Sequence, residues 1–199
     1  MVNVSTSCNV ALKEWAVTIR AIALGDQIII VRKGGIHQDD KEFRIIHPSF
    51  LLFPTYEHQK LGLLKPSVQK DLITPLEDSF NANEIEFQYW AKVTDVYELR
   101  DSETLSKISS FHHWTEEYVK SRFHWRPSQA LTVALLRLFK LEGKMTVPRT
   151  PAFSGCKSWV ELDDHIPIME TQPVLSDQEY FETSTKIRES LSGAENVVL

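Results

Sequence analysis

Apolar residues at Ala11, Leu12, Trp15, Ala16, Ile19, Ile22 and Ala23 recur at helical spacing and predict an amphipathic helix. Ser7 or Asn9 stands where its N-cap belongs, and Gly25 can end it in a left-handed turn. Residues 27–32 are rich in isoleucine and valine and predict a buried strand closed by Gly34-Gly35. A polar loop is expected over 37–41. An extended segment over 42–55 follows, bent at His47-Pro48 because a residue before proline is pushed toward β geometry. Residues 65–83, with Pro66 and Pro75, read as a surface connection. In 84–99, Ile85, Phe87, Tyr89, Ala91 and Val93 share one face and Glu86, Gln88, Trp90 and Lys92 the other. That alternation predicts a half-buried strand, long enough to need a bulge. Asp101 or Ser102 then caps a short helix, Thr115 starts a second that Pro127 closes, and 131–141 is strand-like. Ser176 with Glu179 has capping-box spacing and predicts a last helix over 177–191, ended by Gly193.

Strung together, the elements predict an α+β fold of order α-β-β-β-α-β. Its mixed sheet would have about four to five strands with helices packed on it, and the helical crossover would make the flanking strands parallel. One globular domain is expected over 1–162. Residues 163–199 would be an acidic C-terminal extension, partly helical or flexible.

Composition adjusts this picture in three places. The chain has 199 residues, 42% hydrophobic and 10% aromatic, enough to fill a core and too apolar for wholesale disorder. No run approaches the ~20 apolar residues of a membrane span, and the polar start carries no signal-peptide pattern. Cys8 and Cys156 match no metal or redox spacing and read as inert reduced thiols, so a cytoplasmic protein is expected. The net charge of −5 is unevenly placed: residues 161–199 hold nine acids against Lys186 and Arg188. The preceding 160 residues hold 18 acids and 20 bases, so the body is slightly basic. This permits a local anion site without indicating a broad nucleic-acid coat.

Candidate chemistry gathers at two strand ends. Arg32, Lys33, Gly34 and Gly35 put two cations beside backbone N–H groups that glycines can turn into one concavity, a pattern suited to anions. The plainer account is a tight turn with solvated cations. The segment Phe50-Leu51-Leu52-Phe53-Pro54-Thr55-Tyr56-Glu57-His58-Gln59 runs from a core strand into groups that ionise or hydrogen-bond. Thr55, Glu57, His58 and Gln59, with His47 upstream, complete the expected ligand site. Glu57 and His58 are the catalytic candidates with Lys33 and with Glu14 of the first predicted helix, because a carboxylate–imidazole pair can move protons. His47, Glu57 and His58 are also candidate metal ligands, although their spacing fits no dedicated motif. Phe111 to Thr115 and Arg122 to Arg126 interleave rings with cations, a composition of single-strand binding that an amphipathic core stripe explains equally well.

The segments 11–16, 32–36, 50–59, 114–115 and 155–160 resemble, in this order, the domain of unknown function DUF1802, a family common in cyanobacteria. The resemblance spans roughly 10–162 and leaves the acidic tail outside. It implies relatives of cyanobacterial type, and no reaction, substrate or catalytic residue. Three readings follow. The first is a binding module whose anion pocket takes a phosphate-bearing ligand or nucleic acid. The second is a phosphodiesterase or nuclease dependent on a divalent metal, since the element order is similar to that of restriction-endonuclease-like enzymes. Those place a helix glutamate (Glu14), an aspartate (Asp39 or Asp40) and a Glu-x-Gln motif (Glu57-His58-Gln59) on magnesium. The third is an adaptor that meets a protein partner through the acidic helix.

Overall fold

The computed structural model describes residues 6–33, 43–56, 60–69, 81, 83–155, 157–169 and 171–197. The chain is α+β with a mixed sheet, as expected, but the sheet has eight strands rather than four or five. They are β1 (Ser7–Trp15), β2 (Ile29–Arg32), β3 (Ser49–Thr55), β4 (Glu84–Leu99), β5 (Leu131–Pro148), β6 (Trp159–Pro167), β7 (Gln172–Pro173) and β8 (Glu195–Asn196). The helices are α1 (Ala16–Ala23), α2 (Ser102–Lys107), α3 (Glu116–His124) and α4 (Asp177–Ser190). The main strand order is β2-β5-β4-β3-β1-β6, with β7 on β5 and β8 on β4.

The element order is therefore not α-β-β-β-α-β. The first half of the predicted helix is β1, and a helix begins only at Ala16. β1 lies between β3 and β6, and both its faces are covered: Leu12 packs into one core cluster and Ala11 into another, each fully buried. Burial on both faces erases the period-2 signal, and what remains imitates a helix. The expected parallel crossover is also absent. β4 and β5 pair antiparallel despite the helices between them, and β1 with β3 is the parallel pair among the described strands.

Local signals are better obeyed. β4 covers the expected residues, with register shifts at Phe87/Tyr89 and Val93/Asp95 that let a 16-residue strand bend. Asp101 accepts the N–H of Thr104 at 2.7 Å, and Thr115 accepts that of Tyr118 at 3.2 Å. Ser176 and Glu179 form a reciprocal capping box at the start of α4.

Three clusters fill the body. Leu12, Ile30, Phe50, Leu52, Ala91, Ala134 and Leu136 come from five strands and meet in one interior cluster with Ile19 and Ile22 of α1. A second packs Val17, Leu105, Val119, Ile187 and Leu191 of the four helices onto Leu99, Val133 and Leu135. A third joins Phe53, Phe87, Val160, Leu162 and Ile166. Strands four places apart in the order also touch: Arg32 at the end of β2 donates to the carbonyl of Lys13 on β1 at 3.0 Å. The sheet thus curls around its interior cluster, and the seam between β2 and β1 is polar.

Residues 163–197 are woven into this body. β6 runs straight through position 162, α4 buries Tyr180, Ile187 and Leu191, and β8 pairs with β4. Arg188 holds Asp95 through two hydrogen bonds of 2.9 and 2.8 Å, which keep the Asp95 carboxyl below the usual carboxylate range. Among the described residues, no helix is long and apolar enough to cross a membrane.

Candidate functional site

The seam is built from strand ends. Glu14, one residue from the end of β1, is buried, with Oε1 accepting the N–H of Trp15 at 2.8 Å. Its Oε2 meets Arg32 at 3.2 Å. The same guanidinium donates to the Lys13 carbonyl and, at 2.9 Å, to the Ser158 hydroxyl, and it lies over the Phe43 ring at 5.0 Å. Thr55 closes the frame by donating to the carbonyl of Glu14 at 3.0 Å, where β1 and β3 run parallel side by side. Arg32 therefore ties β2 to β1 and to the loop before β6, as a planar fork of donors is suited to do.

Lys33 turns the other way. It is buried, donates to the carbonyl of Phe123 in the last turn of α3 and lies 5.3 Å from that ring. It thereby occupies one of the carbonyls that a helix C-terminus leaves open. Burial first, and then the Arg122 guanidinium, push its ammonium below the ordinary lysine range. Arg122 lies over Trp125 at 5.0 Å and Arg126 at 4.5 Å, and Arg126 holds a left-handed backbone with φ of 54°. Among the described residues, no carboxylate pairs with Lys33 or Arg122, two cations near enough for the guanidinium to act on the ammonium. Tyr118, one turn before Arg122, stacks on Trp15 with ring centroids 5.4 Å apart. Burial raises its phenol pKa, with Arg122, Glu14 and Arg32 acting on it as well. Phe43 also lines a polar cavity of about 220 Å³ with Arg44, Glu98, Arg100, Gln129 and Thr132.

Of the residues singled out from sequence, Arg32, Lys33, Thr55 and Glu14 meet at or beside this seam. Glu14 arrives there on a strand, which corrects its expected place on a helix. His47 stands edge-on to Trp159 at 5.1 Å. Gly34, Gly35, Asp39, Asp40, Glu57, His58, Gln59 and Cys156 lie outside the described residues. Among those described, no three His, Cys, Asp or Glu side chains gather as a metal site would require. Cys8 is half-buried, and burial raises its thiol pKa. The interleaved rings divide: Trp114 is core, while Trp125 is half-buried and outside all three clusters. Sequence reasoning passed over Ser158 and Lys13. Ser158 is 126 residues from Arg32, and its sole signal was its place in the 155–160 segment.

His112 is buried, and burial followed by the Lys65 ammonium hold its pKa at about 4. An unfolded chain binds this proton near pH 6.5, so between pH 6.5 and 4 the unfolded state holds more protons and stability falls with pH. On the order of 3 kcal/mol is lost by pH 4 from this group alone. Urea denaturation at pH 7 and pH 4 is expected to show a drop larger by about 2–3 kcal/mol in wild type than in His112→Gln. Equal drops would remove His112 from the account.

The family model for the domain of unknown function DUF1802 matches residues 11–186. The chain belongs to the DUF1802 family. The match runs past 162 through β6 and most of α4, which corrects the expectation that the acidic segment lies outside it. So the DUF1802 unit contains both the seam and the helix that covers the sheet. No curated protein matches the chain. Solved structures of the ASCH protein from Zymomonas mobilis are similar in outline. The unmutated form is 13% identical, with 94% of this chain and 95% of that chain covered and a TM-score of 0.43. A serine-to-alanine mutant is 10% identical, covering 92% and 98%, at 0.42. A tyrosine-to-phenylalanine mutant is 12% identical, covering 88% and 96%, at 0.40. Similarity at that level lends this DUF1802 chain no function.

Proposed function

We propose that this DUF1802 domain is a binding module that takes a phosphate-bearing ligand at the corner where β2 meets the end of α3. The observation that carries this reading is the pair of neighbouring cations Lys33 and Arg122. Burial first, and then its like-charged neighbour, disfavour the lysine's charge, and no described carboxylate balances them. An anion placed between them relieves that repulsion and gains charge-assisted hydrogen bonds, the strongest class available to a phosphate. Arg32, already engaged with Glu14 and Ser158, frames the corner and holds β2 in place.

Tripolyphosphate is the probe, read by thermal shift and calorimetry at low salt. Arg122→Ala removes one cation without touching the Phe123 carbonyl that Lys33 caps. It is expected to weaken binding about tenfold, the equivalent of one charge-assisted bond of ~1.5 kcal/mol. Equal affinity in wild type and variant, or no binding to either, defeats the reading.

A further inference from the structure

We infer that the ligand is a single-stranded nucleic acid whose bases stack along the stripe Arg122, Trp125 and Arg126. This rests on the phosphate reading above and adds a recognition element to it. Arg122 lies in the last turn of α3, and Trp125 is the residue that caps the helix. The Arg122 and Arg126 guanidiniums both lie over the Trp125 ring, 5.0 and 4.5 Å from its centroid. The Lys33 ammonium lies over the ring of Phe123, two residues before Trp125.

Two facts separate this stripe from ordinary packing. Trp114, on the same helical hairpin, is 4% exposed and belongs to the core, whereas Trp125 belongs to none of the core clusters. Two guanidiniums lie over its ring. Second, Arg126 takes up the left-handed backbone that side chains rarely adopt, which brings its guanidinium back onto the ring. Indole and guanidinium planes both accept a base face to face, and any base serves because each has a π face. The cations beside the ring meet the phosphates that flank the stacked base. A duplex keeps its bases stacked on one another and offers nothing to the indole, so the stripe discriminates strand state rather than sequence.

Fluorescence anisotropy tests this with labelled oligouridylate, oligodeoxythymidylate and a duplex, each long enough to cover a site of ~4–16 nucleotides. Single strands are expected to bind at least tenfold more tightly than the duplex. Trp125→Ala should weaken single-strand binding by ~5- to 100-fold, as the loss of one stacked base does, while Trp125→Phe keeps most of it. A cooperative thermal transition in Trp125→Ala shows that the variant is folded. The two oligonucleotide arms distinguish RNA from DNA, and stronger binding of either supports the stripe. If tripolyphosphate binds in an Arg122-dependent way but oligonucleotides bind no more tightly, the phosphate reading stands and this inference is overturned. Equal binding of duplex and single strand, or indifference of single-strand binding to Trp125→Ala, also overturns it. Failure of every probe overturns both.

Discussion

A chain cut back to residues 1–164 is expected to lose its cooperative unfolding transition. The cut removes Ile166, Ile168, Tyr180, Ile187 and Leu191, all buried. At about 1.5–3 kcal/mol for each apolar side chain, their loss is comparable to the 5–15 kcal/mol that holds a typical domain together. It also strips away the Arg188 partner of Asp95 and the 2.7 Å bond between Thr94 and Tyr180 hydroxyls. The N–H of Val174 no longer reaches Leu138, nor that of Val197 the carbonyl of Val96. The adaptor reading, in which 163–199 is an appendage, demands the opposite: a body that folds without it. Thermal melting followed by near-ultraviolet circular dichroism distinguishes them. A sharp transition near the full-length temperature in the shortened chain would show that α4 is accessory. A milder probe, Ile187→Ala, should cost about 2–5 kcal/mol in the intact chain, since Ile187 is wholly buried on the inner face of α4.

The acidic segment misled for a physical reason. In β6, Glu161, Asp163, Asp164 and His165 are exposed while Val160, Leu162 and Ile166 are buried, so charges occupy the outward positions of a strand at the sheet's end. Charged edges of this kind protect a sheet from pairing with other chains, and to composition alone they look like a solvated tail. β1 failed in the converse way, because burial on both faces left no alternation to read. What was legible was local: the caps at Asp101, Thr115 and Ser176, and the long strand with its bulges. Each depends on residues a few positions apart, and so survives without knowledge of what packs where.

The site was legible to the same limit. Arg32 and Lys33 stood out as cations at a strand end, and both fall at a polar seam. Sequence could not say that they point to different partners, one to Glu14 and Ser158, the other to the end of α3. Glu14 was chosen for a helix it does not occupy, yet its carboxylate is central, because the curl of the sheet brings β1 to β2. Treating the rings of 111–126 as one stripe hid the division between Trp114 in the core and Trp125 beside cations.

Glu14→Ala is expected to destabilise the protein by about 3 kcal/mol, toward the lower end of what breaking a buried pair costs. The lower end applies because the Arg32 side chain is 21% exposed and keeps two other acceptors, while that of Glu14 is only 5% exposed. The loss comes mainly from the charge left behind: an Arg32 guanidinium still fixed to Lys13 and Ser158 but stripped of its counter-ion. Glu14→Gln retains the shape and can still accept the Trp15 N–H, so it should cost roughly half as much, about 1–2 kcal/mol for a charge-assisted bond made neutral. Removing both members decides the matter. Glu14→Leu with Arg32→Met should recover most of the single-variant loss, because no uncompensated charge remains in the seam. Urea midpoints of wild type, Glu14→Leu, Arg32→Met and the double variant at neutral pH give the coupling directly. A double variant as unstable as the sum of the singles would mean that the pair does not act as a unit. A recovered double variant that also keeps tripolyphosphate affinity would confine Arg32 to the frame and leave Lys33 and Arg122 as the cations that meet the ligand.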